Sequence, residues 1–223
     1  MSDQIGFIEV KPEFEHRCTI IWLHGLGDSG HGHAPLASEL KLAPELGVKF
    51  IFPHAPEQPV TVNGGAVMPA WYDILEMDIG RKIDEDGIEE SAKKISDLIK
   101  AEIENGIESK NILIAGFSQG GAVALHTALQ SSHSLAGIIC MSTYLGADSI
   151  FQSQHRPINQ NIPIFWGHGT YDAVVPLALA ETSIETLNEN NYKVELKTYP
   201  MEHSLHPDEV SDISEWISVL LEA

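Results

Sequence analysis

Six short apolar runs rich in β-branched residues recur along the chain, at residues 18–23, 48–52, 111–115, 137–140, 162–166 and 194–199. Runs of this length and composition predict strands buried on both faces. Between them the apolar positions become periodic. Ile88, Ile95, Leu98, Ile99 and Ile103 fall on one helical stripe, as do Val210, Ile213, Ile217 and Leu220, the second stripe opened by Pro207. Strands alternating with helices predict an α/β fold: right-handed crossovers and a mostly parallel central sheet with helices on both faces. Ligand sites in such sheets lie at the carboxyl ends of the strands. Residues 54–80 depart from the rhythm, with Pro56, Pro59, Gly64, Gly65 and Pro69 set among Val67, Met68 and Trp71. The segment reads either as a lid-like binding loop or as an irregular wrap with Trp71 packed inward.

Composition bounds the classes of function. No repeat or linker-like stretch divides the 223 residues, a length that one α/β core can absorb, so a single domain is expected. Thirteen Lys and Arg against thirty-two Asp and Glu give a formal charge of -19. That charge repels phosphate backbones, so nucleic acid is not an expected partner. It does not forbid an apolar loop from touching a membrane, because apolar burial acts at contact. Residues 1–15 carry four acidic side chains, unlike a secretory signal, and no run approaches the roughly 20 apolar residues of a membrane span. Cys18 and Cys140 both lie in apolar runs, where free buried thiols are the rule in reducing surroundings, so a cytoplasmic protein is expected. His31 and His33, near His24 and Asp28, invite a zinc or iron reading, but they lie in a Gly-rich stretch with no H-E-x-x-H helix. No metal is expected.

The chemistry concentrates after the predicted strands. Gly116-Phe117-Ser118-Gln119-Gly120 leaves a buried run and opens a helical one near Gln119, the context in which G-x-S-x-G forms a strained turn that pushes a serine hydroxyl outward. Glycines on either side let neighbouring backbone pass close. A serine hydroxyl needs a base, and the base an orienting carboxylate. Asp172 follows the run at 162–166, and His203 and His206 follow the last run, which gives the chain order Ser, Asp, His. His203, nearer the strand end, is the expected base. Activity is then expected to fall on the acid side, where an imidazole base is protonated. The oxyanion needs two backbone donors, and Gln119 and Leu26, the latter in the Gly-rich turn His24-Gly25-Leu26-Gly27-Asp28, are placed to supply them.

Together with Asn63-Gly64-Gly65, Met68-Pro69-Ala70-Trp71-Tyr72-Asp73 and His168-Gly169-Thr170-Tyr171-Asp172, these motifs make nearly the whole chain resemble the phospholipase/carboxylesterase family of α/β-hydrolases, which includes the acyl-protein thioesterases. The resemblance implies a triad of Ser118, Asp172 and His203, oxyanion donors at Leu26 and Gln119, and no cofactor. Glu202 stands where many relatives carry Gly. The expected substrates are medium-to-long acyl esters or thioesters, with a lysophospholipase as the alternative and a non-catalytic binding module disfavoured because no triad member is missing. Met68, Trp71, Val175 and Leu177, beside Leu26, are expected to form the acyl slot, each buried CH₂ contributing about 0.8 kcal/mol. An exposed apolar segment at 54–80 could also serve as a transient membrane contact or a homodimer contact.

Overall fold

A computed structural model of the chain describes residues 5–76, 82–147, 151 and 157–222. Its strands are β1 (Phe7–Val10), β2 (Cys18–Leu23), β3 (Val48–Pro53), β4 (Glu57–Val60), β5 (Ala66–Pro69), β6 (Ile112–Phe117), β7 (Gly137–Met141), β8 (Ile164–Gly169) and β9 (Val194–Tyr199). Seven of them form one sheet in the order β1-β3-β2-β6-β7-β8-β9. Every pairing is parallel except that of β1 with β3. The helices are α1 (Gly30–His33), α2 (Leu36–Glu39), α3 (Glu85–Glu104), α4 (Gln119–Gln130), α5 (Leu177–Glu189) and α6 (Pro207–Glu222).

Alternation along each strand divides the core into two layers. Ile21 and Leu23 of β2, Ile114 of β6, Cys140 of β7 and Trp166 of β8 meet α3, α4 and α5 on one face. Trp22, Ala115, Met141 and Phe165 meet α2 and α6 on the other. Burial from both sides is why the central strands read as unbroken apolar runs.

Two expectations need correction. The run at 194–199 is not buried on both faces: β9 is an edge strand with Glu195, Leu196 and Thr198 exposed, because only β8 pairs with it. The described part of the segment 54–80 packs Trp71 inward, as one of its two readings has it, but it is not irregular throughout. Its first part folds into the antiparallel hairpin β4-β5, turned through Gly64 and Gly65 at φ 66° and 78°, and then buries Trp71 and Tyr72 in the core. Residues 77–80 lie outside the described part. Strand β1, with alternating half-buried and exposed residues, carries too little apolar signal to be foreseen. Among the described residues no helix is long and apolar enough to cross a membrane.

Candidate active site

The turn from β6 into α4 holds Ser118 at φ 52° and ψ -121°, left-handed backbone that a side chain other than glycine rarely adopts. Surrounding bonds over-determine it. The Ser118 N–H donates to the Met141 carbonyl at 2.8 Å, and the Ser118 carbonyl accepts from Thr143 Oγ1 at 2.7 Å and from the Gly121 N–H at 2.9 Å. Close approach explains the flanking glycines: a Cβ on Gly120 would collide with the carbonyl oxygens of Leu23 and His24, and one on Gly116 with the Gly120 carbonyl.

The loops after β8 and β9 bring two side chains to that hydroxyl. His203 Nε2 lies 2.9 Å from Ser118 Oγ, and His203 Nδ1 lies 2.7 Å from Asp172 Oδ2. Asp172 Oδ1 accepts from the Val174 and Val175 N–H groups at 2.9 and 2.8 Å. Burial alone would raise this carboxyl, but the bonds from His203, Val175 and Val174 outweigh it and hold Asp172 below the usual aspartate value. An ionised Asp172 accepts only, so Nδ1 of His203 carries the hydrogen and Nε2 is free to accept from Ser118. The Phe117 ring packs against the imidazole, with centroids 4.8 Å apart. His206 goes elsewhere, its Nδ1 accepting from the Asp208 N–H at 3.2 Å and its ring stacked over Tyr199. Glu202 is exposed and does not line the cavity beside Ser118.

The loop after β2 is held by His24. Its Nε2 accepts from the Ala55 N–H at 3.0 Å, so its Nδ1 carries the hydrogen and donates to the Gly25 carbonyl at 2.7 Å. Burial pushes this imidazole down to about 4, so it is neutral at physiological pH. The Trp71 Nε1–H donates to the His24 carbonyl at 2.8 Å, and the Gly27 N–H donates to the Pro69 carbonyl at 2.8 Å. Leu26 and Gln119 line the same cavity as Ser118 and His203, and Gln119 is the first residue of α4, where the backbone N–H has no partner within the helix.

That cavity has a volume of about 490 Å³ and is walled by Leu26, Val62, Ile74, Phe117, Tyr144 and Val174, with Asp28 and Asn63 as polar members. The size and lining suit a small apolar ligand. Of the expected slot residues, only Leu26 is among these. Trp71 is 1% exposed and turned inward by its bond to His24. Val175 is wholly buried, its carbonyl engaged by His168 Nε2 at 2.8 Å, and its neighbour Val174 faces the cavity instead. Leu177 begins α5, away from the wall. Met68 is not among the wall residues either, its Sδ accepting from Asn63 Nδ2 at 3.3 Å.

Sequence reasoning missed the side chain of Gln119. It is 2% exposed, accepts from the Trp71 N–H at 2.8 Å and donates to the Tyr72 carbonyl at 2.6 Å, tying the segment after the hairpin to the serine turn. A buried polar residue at the start of an apolar helix was the only signal for it. The histidines near Asp28 serve as hydrogen-bonding groups: His33 Nδ1 accepts from Trp22 Nε1 at 3.0 Å, and His54 Nδ1 from the Gly30 N–H at 3.1 Å. Among the described residues no group of three His, Cys, Asp or Glu side chains is arranged to hold a metal ion.

The sequence pattern of the Phospholipase/Carboxylesterase family matches residues 6–221. The chain is 42% identical over 210 residues to acyl-protein thioesterase 1 of Saccharomyces cerevisiae, spanning 90% of this chain and 92% of that one. It is 41% identical over 215 residues to acyl-protein thioesterase 1 of Yarrowia lipolytica, spanning 94% and 95%. Arabidopsis thaliana SOBER1 superposes with a TM-score of 0.87 at 36% identity, covering 92% of this chain and 99% of that one. Zea mays acyl-protein thioesterase 2 superposes with a TM-score of 0.87 at 28% identity, covering 97% and 99%.

Proposed function

The chain belongs to the Phospholipase/Carboxylesterase family of α/β-hydrolases, and on that premise we propose that it cleaves medium-to-long acyl esters or thioesters through an acyl-enzyme on Ser118. One observation carries the reading: an unbroken run of hydrogen bonds from Asp172 through His203 to Ser118 ends at the wall of an apolar cavity. His203 Nε2 takes the Ser118 proton as Oγ bonds to the acyl carbonyl carbon. The resulting oxyanion is held by the N–H groups of Leu26 and Gln119, at the positive end of α4. Collapse expels the alcohol or thiol, which leaves with the proton held on His203. Water, deprotonated by the same imidazole, then attacks the acyl-enzyme, and release of the acid restores Ser118. Asp172 holds the imidazole in the required tautomer and stabilises it when charged.

Val62, Ile74, Phe117, Tyr144 and Val174 support an acyl slot with room for more than acetyl. Burial of about 0.8 kcal/mol per CH₂ favours octanoyl over acetyl esters by at least one order of magnitude in kcat/KM. The test is an acyl-chain series on matched oxygen esters, thioesters and lysophospholipids, with native protein and Ser118→Ala. Equal efficiency on acetyl and octanoyl substrates removes the slot, and an undiminished rate in Ser118→Ala removes the acyl-enzyme. Faster cleavage of the lysophospholipid than of the matched thioester reverses the order of the two substrate classes.

A further inference from the structure

Glu209 is the third residue of α6 and accepts from the His206 N–H through Oε2 at 3.4 Å. By position this is a capping glutamate, which is ordinarily solvated and ionised near a helix N-terminus. Its surroundings disfavour the charged form. The residue is 0% exposed, Oε1 has no hydrogen-bond partner, and among the described residues no cation lies within ion-pair distance. Oε1 occupies the space beside Gly167 in β8 that a Cβ on that residue would need. The ionisable groups around it are Asp208 and Asp212 on α6, His206 on the preceding loop, and Tyr199 and Lys197 on β9. Tyr199 Oη donates to Asp212 at 2.8 Å, and Lys197 pairs with Asp212 at 3.2 Å. Glu39 and Lys41 across the groove from α6, and Glu215 further along it, are exposed. His168 follows Gly167 on β8 and points to the opposite face. Burial pushes the Glu209 carboxyl up to about 8; the His206 N–H opposes the rise and Asp212 adds to it.

This carboxyl sits where the strand leading to Asp172 meets the loop carrying His203. The two are tightly joined: the Tyr171 N–H donates to the Met201 carbonyl at 3.0 Å, and Gly169 lies against the carbonyls of Met201 and Glu202. We propose that Glu209 is a positioning residue for His203, holding the histidine loop against β8 as a neutral acid, and that its ionisation loosens this joint and sets the alkaline limit of activity. The charged form needs solvent at Oε1, where Gly167 leaves no space, so the side chain must move and carry the His206 backbone with it. The activity half of the proposal rests on the hydrolase reading above.

The experiment compares native protein with Glu209→Gln, following kcat on a soluble medium-chain ester and the unfolding temperature from about pH 4.5 to 10. Native kcat is expected to fall about tenfold per pH unit above its alkaline midpoint, with the variant flat there. Because the folded carboxyl is raised to about 8 from an ordinary 4.5, its stabilising contribution is full below the unfolded value and is lost as pH rises through the folded one. The unfolding temperature of native protein relative to the variant therefore falls across that window. Coincident alkaline limbs, or a difference that grows with pH as for an ionised cap, overturn the proposal. Infrared difference spectra of native protein test the same point without a variant, since the absence of a protonated carboxyl near neutral pH also overturns it. Active-site labelling separates the two readings: labelled protein with coincident limbs removes the role of Glu209 alone, whereas unlabelled protein removes the hydrolase reading with it.

Discussion

His203 and His206 lie three positions apart, yet only one faces the serine. His203 has Ser118 on one ring nitrogen and Asp172 on the other, whereas His206 is spent on the first turn of α6. His203→Ala is expected to lower kcat by on the order of 10⁴-fold or more, and His206→Ala by less than about tenfold, in steady-state ester hydrolysis. Equal losses would mean that the second imidazole takes part in the chemistry. Which of the two imidazoles the fold brings beside Ser118 was legible in the sequence, because the one nearer the end of its strand reaches the serine turn. The slot residues were not. Val174 and Val175 are chemically identical, and only the turn that directs two successive N–H groups at Asp172 decides which of them faces the cavity. Glu209 was equally hidden, since an acidic residue early in a helix is ordinary and only tertiary burial changes its chemistry.

At the level of elements, the serine turn depends on the first turn of α4 coming against the ends of β2 and β6 with no side chain at Gly116 or Gly120 between them. Gly120→Ala forces a methyl group onto the carbonyls of Leu23 and His24, the backbone that leads to Leu26. Overpacking of this kind costs about 1–3 kcal/mol, and because it displaces the oxyanion loop it is expected to lower kcat by at least tenfold. Kinetics alongside thermal unfolding check this; a stability loss with unchanged kcat would detach the loop from the chemistry. The central strands were readable because two-sided burial leaves unbroken apolar runs, and α3 and α6 because a one-sided stripe leaves a 3.6-residue period, whereas α4, buried almost all round, was placed only by the serine turn that opens it. The hairpin β4-β5 was not, for Pro59 lies inside a strand and the neighbouring residues do not alternate cleanly. It is fixed by tertiary bonds: Thr61 to Asp73 at 2.7 and 2.6 Å, Val62 N–H to the Ile74 carbonyl at 3.1 Å, and Gln119 to Trp71 and Tyr72. These bonds also set Val62 and Ile74 as one wall of the cavity.

For the whole molecule, buried histidines are expected to weaken the fold in acid. Burial lowers His24, to about 4, and likewise lowers His33, His126 and His168 from the ordinary 6.5. At these four groups the unfolded chain therefore binds more protons below pH 6.5 than the folded one, and together they outnumber Glu209, which has the opposite effect. The stability these groups contribute is present above their unfolded value and lost as pH falls through their folded values. The unfolding temperature is expected to drop between about pH 6.5 and 4, measured by calorimetry at about 0.15 M salt, where repulsion among exposed carboxylates is screened beyond about 8 Å. A flat profile would show that these imidazoles are not held neutral in the fold. The α/β order and the succession of Ser118, Asp172 and His203 were legible across 223 residues because each follows a strand, and the parallel sheet brings strand ends together.

Ser118 Oγ, the proposed nucleophile and carrier of the acyl group, is open to peptide mapping of the native protein after reaction with a fluorophosphonate. A single adduct is expected on Ser118, absent from Ser118→Ala. An adduct elsewhere, or none on native protein that still hydrolyses esters, would contradict it.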